Sequence, residues 1–188
     1  MRLAILGPPG SGKTTQADIL SRVFGLRHIY MGDLLRRESE SESPIAETIR
    51  RHLALGELVP EDIVIAVLAR EIADAEDDYI LDGAPRTLAQ ALGLQMILSE
   101  QGESLDAVIS LEVSNDELVR RLTARGRTDD RPGLILRRVE IFHRETDPVI
   151  RLYEEQGLLI RVSGEGSPAS VADRILHQLH QRFSTKTA

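Results

Sequence analysis

The chain has 188 residues, of which 41% are hydrophobic and 28% are charged, and it contains no cysteine. This length and composition suit one folded domain with a continuous core, and they exclude disulfides and cysteine-ligated zinc. Because the net charge is −7 and no apolar run is long enough for a secretory signal or a membrane span, we expect a cytoplasmic protein with no nucleic-acid or membrane partner.

The hydrophobic pattern predicts strands that alternate with helices along the whole chain. Short apolar runs predict five strands, over residues 2–6, 27–30, 79–83, 107–113 and 158–162. Apolar residues at helical spacing predict eight helices, over residues 13–24, 34–38, 45–55, 60–72, 88–98, 116–125, 135–155 and 170–183. This alternation indicates an α/β fold whose five-stranded sheet is mostly parallel and flanked by helices.

Single residues set several of the predicted boundaries. Asp33 is placed as the N-cap of the second helix, Gly56 ends the third, and Pro60 takes the first position of the fourth. Pro148 predicts a bend or an interruption in the seventh helix, because proline disfavours a helical conformation in the residue before it. Residues 184–188 are expected to form a frayed tail.

The first predicted strand leads into Gly7-Pro8-Pro9-Gly10-Ser11-Gly12-Lys13-Thr14, which matches the phosphate-binding P-loop pattern G-x-x-x-x-G-K-[ST] in full. Its glycines let backbone N–H groups approach phosphate oxygens, and the start of the next helix adds positive charge. Lys13 supplies a mobile charge for the outer phosphates of a triphosphate, and Thr14 or Thr15 is suited to hold Mg²⁺ directly or through water. The P-loop alone does not identify the reaction, because ATPases, GTPases and many small-molecule kinases share it.

Further motifs follow the P-loop in order. They are Gly32-Asp33-Leu34-Leu35-Arg36, Gly56-Glu57-Leu58-Val59-Pro60, Leu81-Asp82-Gly83-Ala84-Pro85-Arg86 with Gln90, Arg121-x-x-x-Arg125, Arg127-Thr128-Asp129-Asp130, Arg138, and Thr146-Asp147-Pro148-Val149-Ile150. This ordered set resembles the adenylate kinase family over nearly the whole chain. Only Gly126 separates Arg125 from Arg127, which resembles the family's form with a short lid.

The resemblance implies a P-loop NTPase fold in one domain, residues 1–188, with an NMP-binding insertion at 30–59 and a short lid at 124–132. It implies Mg²⁺-dependent transfer of the γ-phosphoryl group of ATP to AMP, and we expect the chain to act as a monomer. The residues expected to bind ATP are Gly10, Ser11, Gly12, Lys13, Thr14, Thr15, Arg121, Arg125 and Gly166. The residues expected to bind AMP are Met31, Arg36, Glu57, Leu58, Val59, Gly83, Ala84, Pro85, Arg86, Gln90, Arg127 and Arg138. The expected catalytic residues are Lys13, Arg86, Arg125, Arg127 and Arg138, and the expected magnesium site is formed by Thr14, Thr15 and Asp82.

The chemistry of phosphoryl transfer between two nucleotides agrees with this arginine-rich set. A phosphate acceptor is already ionised at neutral pH, so the site needs no general base but must gather cations around two anions that repel each other. Arginine suits this task because it stays charged and bonds phosphate through two N–H groups. Four more arginines are interpreted as solvated or paired with acids, namely Arg120, Arg131, Arg137 and Arg151. The five histidines are interpreted as surface or core residues.

Three positions depart from the family pattern. Thr14 stands where glycine usually follows the P-loop lysine, Met31 replaces a small hydroxyl residue, and Ala84 replaces an aromatic residue. Met31 makes the contact to the acceptor base apolar, so a UMP/CMP kinase or one with broad acceptor use stays open beside an ATP:AMP phosphotransferase. A kinase for a metabolite hydroxyl is disfavoured, because Arg36 and Arg86 suggest an anionic acceptor. A nucleotide sensor without turnover also stays open.

Overall fold

A single sheet organises the chain. In the computed structural model, which describes residues 1–73, 75, 78–126 and 132–184, the strands are β1 (Arg2–Leu6), β2 (Arg27–Tyr30), β3 (Tyr79–Asp82), β4 (Ala107–Glu112) and β5 (Leu159–Ser163). Their order is β2-β3-β1-β4-β5, and the four neighbouring pairs are all parallel. The predicted five-stranded α/β fold is confirmed, and the sheet is parallel throughout.

Helices connect the strands. Those found among the described residues are α1 (Lys13–Phe24), α2 (Met31–Ser39), α3 (Ala46–Leu55), α4 (Glu61–Ala73), α5 (Leu88–Glu100), α6 (Asn115–Arg125), α7 (Pro132–Glu155) and α8 (Pro168–Ser184). None of these described helices is both long and apolar enough to span a bilayer. All eight predicted helices are therefore present, with ends that differ by a few residues.

The core lies on both faces of the sheet, as β1 shows. Leu3 and Ile5 belong to a hydrophobic cluster that includes α1 and α8, whereas Ala4 and Leu6 belong to a cluster on the opposite face that includes α4, α5 and α7. These four residues are at most 2% exposed. A central strand buried on both faces needs apolar residues at successive positions, and β1 therefore has a continuous apolar run rather than an alternating one.

The predicted N-cap at Asp33 and the predicted interruption at Pro148 are wrong, whereas a bend at Pro148 stays a prediction. Because α2 begins at Met31, Asp33 lies inside its first turn, where its carboxylate accepts a hydrogen bond from Arg36 at 2.6 Å and does not act as the N-cap. The helix α7 continues through Pro148 without interruption, and its buried neighbours Val149 and Ile150 pack against the core on that side. Tertiary packing thus outweighs the local preference of proline.

Two expected segments fall mainly outside the described residues. The short lid over 124–132 is described only at its ends, which belong to α6 with Gly126 and to the start of α7. The tail over 184–188 is described only at Ser184, which closes α8. The fourth helix begins at Glu61, one position after the expected Pro60.

Candidate active site

The carboxyl ends of the five strands meet along one edge of the sheet, which is where α/β proteins bind ligands. The segments that follow β1, β2, β3 and β5 line a cavity of about 590 Å³ at this edge, a size usual for small-molecule sites. Most residues expected from the sequence line this one cavity, namely Gly10, Ser11, Gly12, Lys13, Thr14, Thr15, Met31, Arg36, Glu57, Leu58, Val59, Asp82, Gly83, Pro85, Arg86, Gln90, Arg121, Arg125, Arg138 and Gly166.

The loop over residues 7–14 needs glycine for steric reasons. Gly10 has a φ of 84°, and a Cβ added there would lie 2.9 Å from Cγ of Leu122. Gly12 has a φ of 94° and directly precedes α1, whose N-terminus has no side-chain cap among the described residues. The N–H groups in the first turn of α1 are therefore not satisfied by a cap, and such a helix end attracts anions.

Lys13 is the centre of a cluster of cations. Its Nζ donates hydrogen bonds to two backbone carbonyls of the loop, at 2.7 and 3.0 Å. Burial lowers the pKa of Lys13 to about 7; Asp82 opposes this shift, while the guanidinium groups of Arg86, Arg138 and Arg125 reinforce it. Cations held this close repel one another, and a bound polyanion would relieve that repulsion.

Asp82, at the end of β3, is fully buried, and its two oxygens have different surroundings. Its Oδ2 accepts a hydrogen bond from Oγ1 of Thr14 at 2.6 Å, and Nε2 of His28 lies 3.5 Å from the same oxygen. Its Oδ1 has no hydrogen-bond partner among the described residues. Burial acts to raise the pKa of Asp82, but His28, Lys13 and Thr14 hold it below its usual value, so the carboxylate is charged. A buried, charged oxygen without a partner suits a bound water molecule or a hydrated cation.

His28 belongs to this region, and the sequence interpretation missed it. Its Nδ1 lies 2.9 Å from Oδ1 of Asp18, and its ring stacks on Tyr30 with centroids 6.0 Å apart. Burial acts to lower the pKa of His28, but the carboxylates of Asp82 and Asp18 raise it above its usual value. His28 is therefore a partly buried residue whose contact with Asp82 the sequence interpretation did not include. The available signal is its position on β2, two residues before Tyr30, which pairs with Asp82 across the sheet.

Arg86 is held from three directions. Its backbone N–H donates to Oε1 of Gln90 at 2.8 Å, its Nε donates to the carbonyl of Gly83 at 2.7 Å, and its own carbonyl accepts from the hydroxyl of Thr146 at 2.9 Å. Burial lowers the pKa of Arg86, and the nearby Arg138 acts in the same direction. Gln90 thus orients Arg86 through its amide oxygen in addition to lining the cavity.

A second arginine, Arg36, lies on the side of the cavity formed by α2. Its guanidinium group is 5.3 Å from the centroid of the Tyr30 ring and donates to the Tyr30 hydroxyl at 3.1 Å. Met31, at the start of the same helix, lines the cavity although it is only 2% exposed. This side of the cavity therefore combines a cation with apolar and aromatic surface.

Three expected residues differ from the sequence interpretation or cannot be compared with it. The side chain of Ala84 is buried in the hydrophobic core and, unlike Gly83 and Pro85, is not among the described residues that line the cavity, so its place in the acceptor site stays a prediction. Glu57 lines the cavity, but its carboxylate pairs with Arg137 at 2.6 Å. Arg127 lies outside the described residues.

Arg121 holds the P-loop in place. It donates to Oε1 of Glu117 at 2.6 Å and to the carbonyl of Gly164 at 3.0 Å, and it lies 3.5 Å from the carbonyl of Ser11. These contacts join α6, the P-loop and the loop after β5. Arg121 therefore supports the walls of the cavity in addition to lining it.

No preformed metal centre is present in the part of the chain that is described, since no three histidine or carboxylate side chains there could hold a metal ion together. Thr14 and Asp82 meet beside the P-loop, and Thr15 is exposed in the next position of α1. A hard cation such as Mg²⁺ prefers oxygen ligands and keeps several waters. These oxygens fit such an ion when a bound triphosphate supplies the remaining ligands.

Known proteins are similar to this chain over most of its length. The family model described as adenylate kinase matches residues 5–158. An adenylate kinase of Xanthomonas oryzae pv. oryzae (strain MAFF 311018) is 44% identical over 181 residues, which cover 93% of this chain and 97% of that relative. An adenylate kinase of Prochlorococcus marinus (strain MIT 9211) is 40% identical over 172 residues, which cover 91% of this chain and 92% of that relative.

Proposed function

This chain belongs to the adenylate kinase family and is an ATP:AMP phosphotransferase, and we propose that its cavity consists of an ATP half, an AMP half and a cluster of cations between them. The observation that carries this division is the convergence on one cavity of Lys13, Arg86, Arg125 and Arg138, which come from α1, the loop after β3, α6 and α7. Such crowding is unfavourable in an empty site and favourable around two phosphate chains.

The ATP half is formed by the P-loop and the start of α1. In this proposal the N–H groups around Gly10, Ser11 and Gly12 bind the phosphates, and Lys13 moves from its loop carbonyls to the outer phosphate oxygens. Arg121 and Arg125 approach from α6, and Gly166, after β5, lies beside the base of ATP.

The AMP half is formed by α2, the segment around residues 57–59 and the loop after β3. We assign the acceptor phosphate to Arg36 and Arg86, because both line the cavity and arginine binds phosphate through two N–H groups. Residues assigned to the base and its surroundings are Met31, Glu57, Leu58, Val59, Gly83, Pro85 and Gln90. Arg127 stays a prediction of the sequence for the same site.

The reaction then needs positioning and charge stabilisation. An oxygen of the AMP phosphate attacks the γ-phosphorus of ATP in line with the bond to the β-phosphate oxygen, that bond breaks, and two molecules of ADP result. No side chain has to remove a proton, because the attacking oxygen is already ionised. Arg86, Arg125 and Arg138 stabilise the charge that spreads over the transferring group.

We propose Mg²⁺ as the cofactor, with Thr14, Thr15 and Asp82 as the residues that hold it beside the phosphates. The ion, when bound, neutralises part of the phosphate charge and orients the triphosphate. Support comes from the unpartnered Oδ1 of Asp82 and from the Thr14 hydroxyl next to it. The expected cytoplasmic location and monomeric state stay predictions of the sequence.

Broader acceptor use is a second candidate, and the observation that favours it is Met31. Its buried side chain lines the cavity with a thioether, which is a poor hydrogen-bond partner for a base. The same contact would accept a pyrimidine or a purine. Membership of the adenylate kinase family favours neither a kinase for a metabolite hydroxyl nor a nucleotide sensor without turnover.

One experiment tests the assignment directly. The protein is incubated with Mg-ATP and, separately, with AMP, CMP, UMP, GMP and dTMP, and the products are separated over time. We expect ADP to form fastest with AMP, and formation of UDP or CDP at a comparable rate would establish broad acceptor use. If no monophosphate is consumed while ATP still binds, the proposed division of the cavity is wrong.

A further inference from the structure

The loop that follows β5 is held in place through its backbone carbonyl groups. Arg174, on α8, donates hydrogen bonds from Nε and Nη2 to the carbonyl of Ser163 at 3.2 and 2.9 Å, and its Nη2 also donates to the carbonyl of Glu165. Between these two, the carbonyl of Gly164 accepts a hydrogen bond from Arg121 of α6 at 3.0 Å. Because β5 is the last strand on its side of the described sheet, carbonyls that follow it need partners other than a strand. Two arginines supply these partners to three successive carbonyls.

The two arginines support different ends of the loop. Gly164 lies against the P-loop, where an added Cβ would be 3.2 Å from the carbonyl oxygen of Ser11, and Arg121 approaches the same oxygen at 3.5 Å. At the other end, a Cβ added to Gly166 would lie 3.9 Å from Nη2 of Arg174. Arg121 therefore supports the part of the loop beside the phosphate site, and Arg174 supports the part that leads to Gly166.

Gly166 lines the cavity with its backbone alone, since glycine has no side chain. Its N–H and carbonyl groups make no hydrogen bond within the part of the chain that the structure describes. The carbonyls of the three residues before it are bound by arginines, so these two groups of Gly166 remain for a ligand. Arg174 itself is not among the described residues that line the cavity, and it can affect a nucleotide there through the loop that it holds.

We propose that Arg174 is a positioning residue for the donor nucleotide, which fixes the loop after β5 so that the backbone of Gly166 meets the base of ATP. This inference rests on the proposed ATP half of the cavity. It assigns to an exposed side chain of α8 a contribution to base binding that neither the P-loop nor Arg121 supplies. The consequence is that recognition of the base and recognition of the phosphates can be separated at one residue.

A guanidinium group suits this task better than a single ammonium group. Its N–H groups lie in one plane and reach several acceptors in fixed directions. In Arg174, Nη2 is shared by the carbonyls of Ser163 and Glu165, which are two residues apart, so it closes the turn between them. A lysine keeps the positive charge but does not reproduce this planar arrangement.

The same helix contains a matched control. Arg182 also binds α8 to backbone carbonyls, those of Asp106 at 3.1 Å and Gly157 at 2.7 Å. These residues precede β4 and β5, at the end of the parallel sheet opposite to the cavity. Replacement of Arg182 therefore removes a comparable support of α8 at a distance from the nucleotide.

The test measures the binding of Mg-ATP and of magnesium tripolyphosphate, which lacks the base, by calorimetry in the wild type, Arg174→Met and Arg182→Met. For Arg174→Met we expect ATP affinity to fall about tenfold and tripolyphosphate affinity to stay within about twofold of the wild type. The KM for AMP should also stay within about twofold of the wild type. Arg182→Met should lower the urea midpoint about as much as Arg174→Met does, but it should leave the affinity for both ligands unchanged.

Three outcomes would overturn the proposal. Unchanged ATP affinity in Arg174→Met would show that the loop keeps its place without the side chain. An equal loss of ATP and tripolyphosphate affinity would mean that Arg174 acts through its charge on the phosphates. An equal loss of ATP affinity in Arg182→Met would mean that both variants act through general destabilisation.

Arg174→Lys provides a second variant, which carries the same comparison if Arg174→Met does not fold. We expect it to recover only part of the ATP affinity, and full recovery would contradict positioning by the guanidinium group. Failure of the proposed function is recognised in the wild type instead. A wild type that binds ATP no more tightly than tripolyphosphate would refute the proposed ATP half, and one that binds ATP but forms no ADP with AMP would refute the proposed transfer site.

Discussion

The hydroxyl of Thr146 donates a hydrogen bond to the backbone carbonyl of Arg86 at 2.9 Å, although the two residues are 60 positions apart in the chain. Thr146 is 2% exposed and lies on α7, whereas Arg86 lies in the loop between β3 and α5. The same helix carries Arg138, which also faces the cavity. One helix therefore supports two guanidinium groups of the proposed transfer site.

Replacement of Thr146 by valine should disturb catalysis more than nucleotide binding. The variant keeps the shape but removes the donor, so we expect the free energy of unfolding to fall by about 1–2 kcal/mol. Because Arg86 loses one of its three supports, we expect kcat to fall about tenfold with little change in ATP affinity. Urea denaturation and steady-state kinetics measure the two effects. Thr146→Ser is the matched control, and wild-type kcat in Thr146→Val would show that the loop holds Arg86 without this bond.

Replacement of Arg86 by alanine tests the assignment of the acceptor half. Removal of a cation that stabilises the transferring group should lower kcat about 100-fold, while ATP affinity stays within about twofold of the wild type. Steady-state rates with AMP and calorimetric ATP titrations give both values. Arg86→Lys is expected to recover only part of the rate, because lysine keeps the charge but loses the Nε bond to Gly83. An equal loss of turnover and ATP affinity would place Arg86 in the donor half.

The sequence predicts best those parts of the site whose residues are neighbours along the chain. The P-loop is an example, because the strand, the glycines, Lys13 and the helix all lie within one segment. His28 shows the limit of this reasoning. It becomes a neighbour of Asp82 only because β2 pairs with β3. The order of strands in a sheet cannot be predicted from local sequence patterns. The Thr146 bond to Arg86 depends on the docking of α7 in the same way.

Local rules also fail where tertiary contacts compete with them. Aspartate is a common N-cap residue, but α2 begins at Met31, two residues before Asp33, and Asp33 pairs with Arg36 instead. Pro148 carries a helix-ending signal, yet the buried residues after it keep α7 continuous. Ala84 follows a strand that ends in the site, but its side chain turns into the core. In each case the structure depends on a contact with a residue that is distant in the sequence or lies on a neighbouring turn of the same helix.

Acceptor choice should respond to a change at Met31. Met31→Thr introduces a small hydroxyl at this position, and one added hydrogen bond to the base should favour AMP over UMP and CMP by about fivefold in kcat/KM. Competition assays with paired monophosphates measure this ratio. Met31→Leu keeps an apolar side chain and should leave the ratio near that of the wild type. If Met31→Thr and Met31→Leu give the same ratio, the side chain at this position does not contact the acceptor base.

Tyr79 offers a test of stability away from the nucleotide site. It begins β3, is 1% exposed, and its hydroxyl has no hydrogen-bond partner among the described residues. A buried hydroxyl without a partner costs free energy, so Tyr79→Phe should raise the free energy of unfolding by about 1 kcal/mol at neutral pH. Chemical denaturation at pH 7 measures this difference, and a destabilised Tyr79→Phe would mean that the hydroxyl is satisfied in solution.

The same residue predicts how stability changes in alkali. Burial raises the pKa of Tyr79 from 10.0 to about 12, with Glu103 and Asp106 acting in the same direction and Arg2 opposing them. Because the folded pKa lies above the unfolded one, the stability that depends on the neutral phenol is complete below pH 10 and is lost as the pH rises through 12. This difference in pKa corresponds to about 2–3 kcal/mol in the free energy of unfolding. The Tyr79→Phe variant has no phenol to ionise and should not lose this free energy in alkali. Urea midpoints of the wild type and Tyr79→Phe should therefore diverge between pH 9 and pH 12. Burial also raises the pKa of Tyr153, but this residue is present in both proteins, so its effect cancels from the comparison. Parallel midpoints over this range would show that the Tyr79 phenol reaches solvent before it ionises.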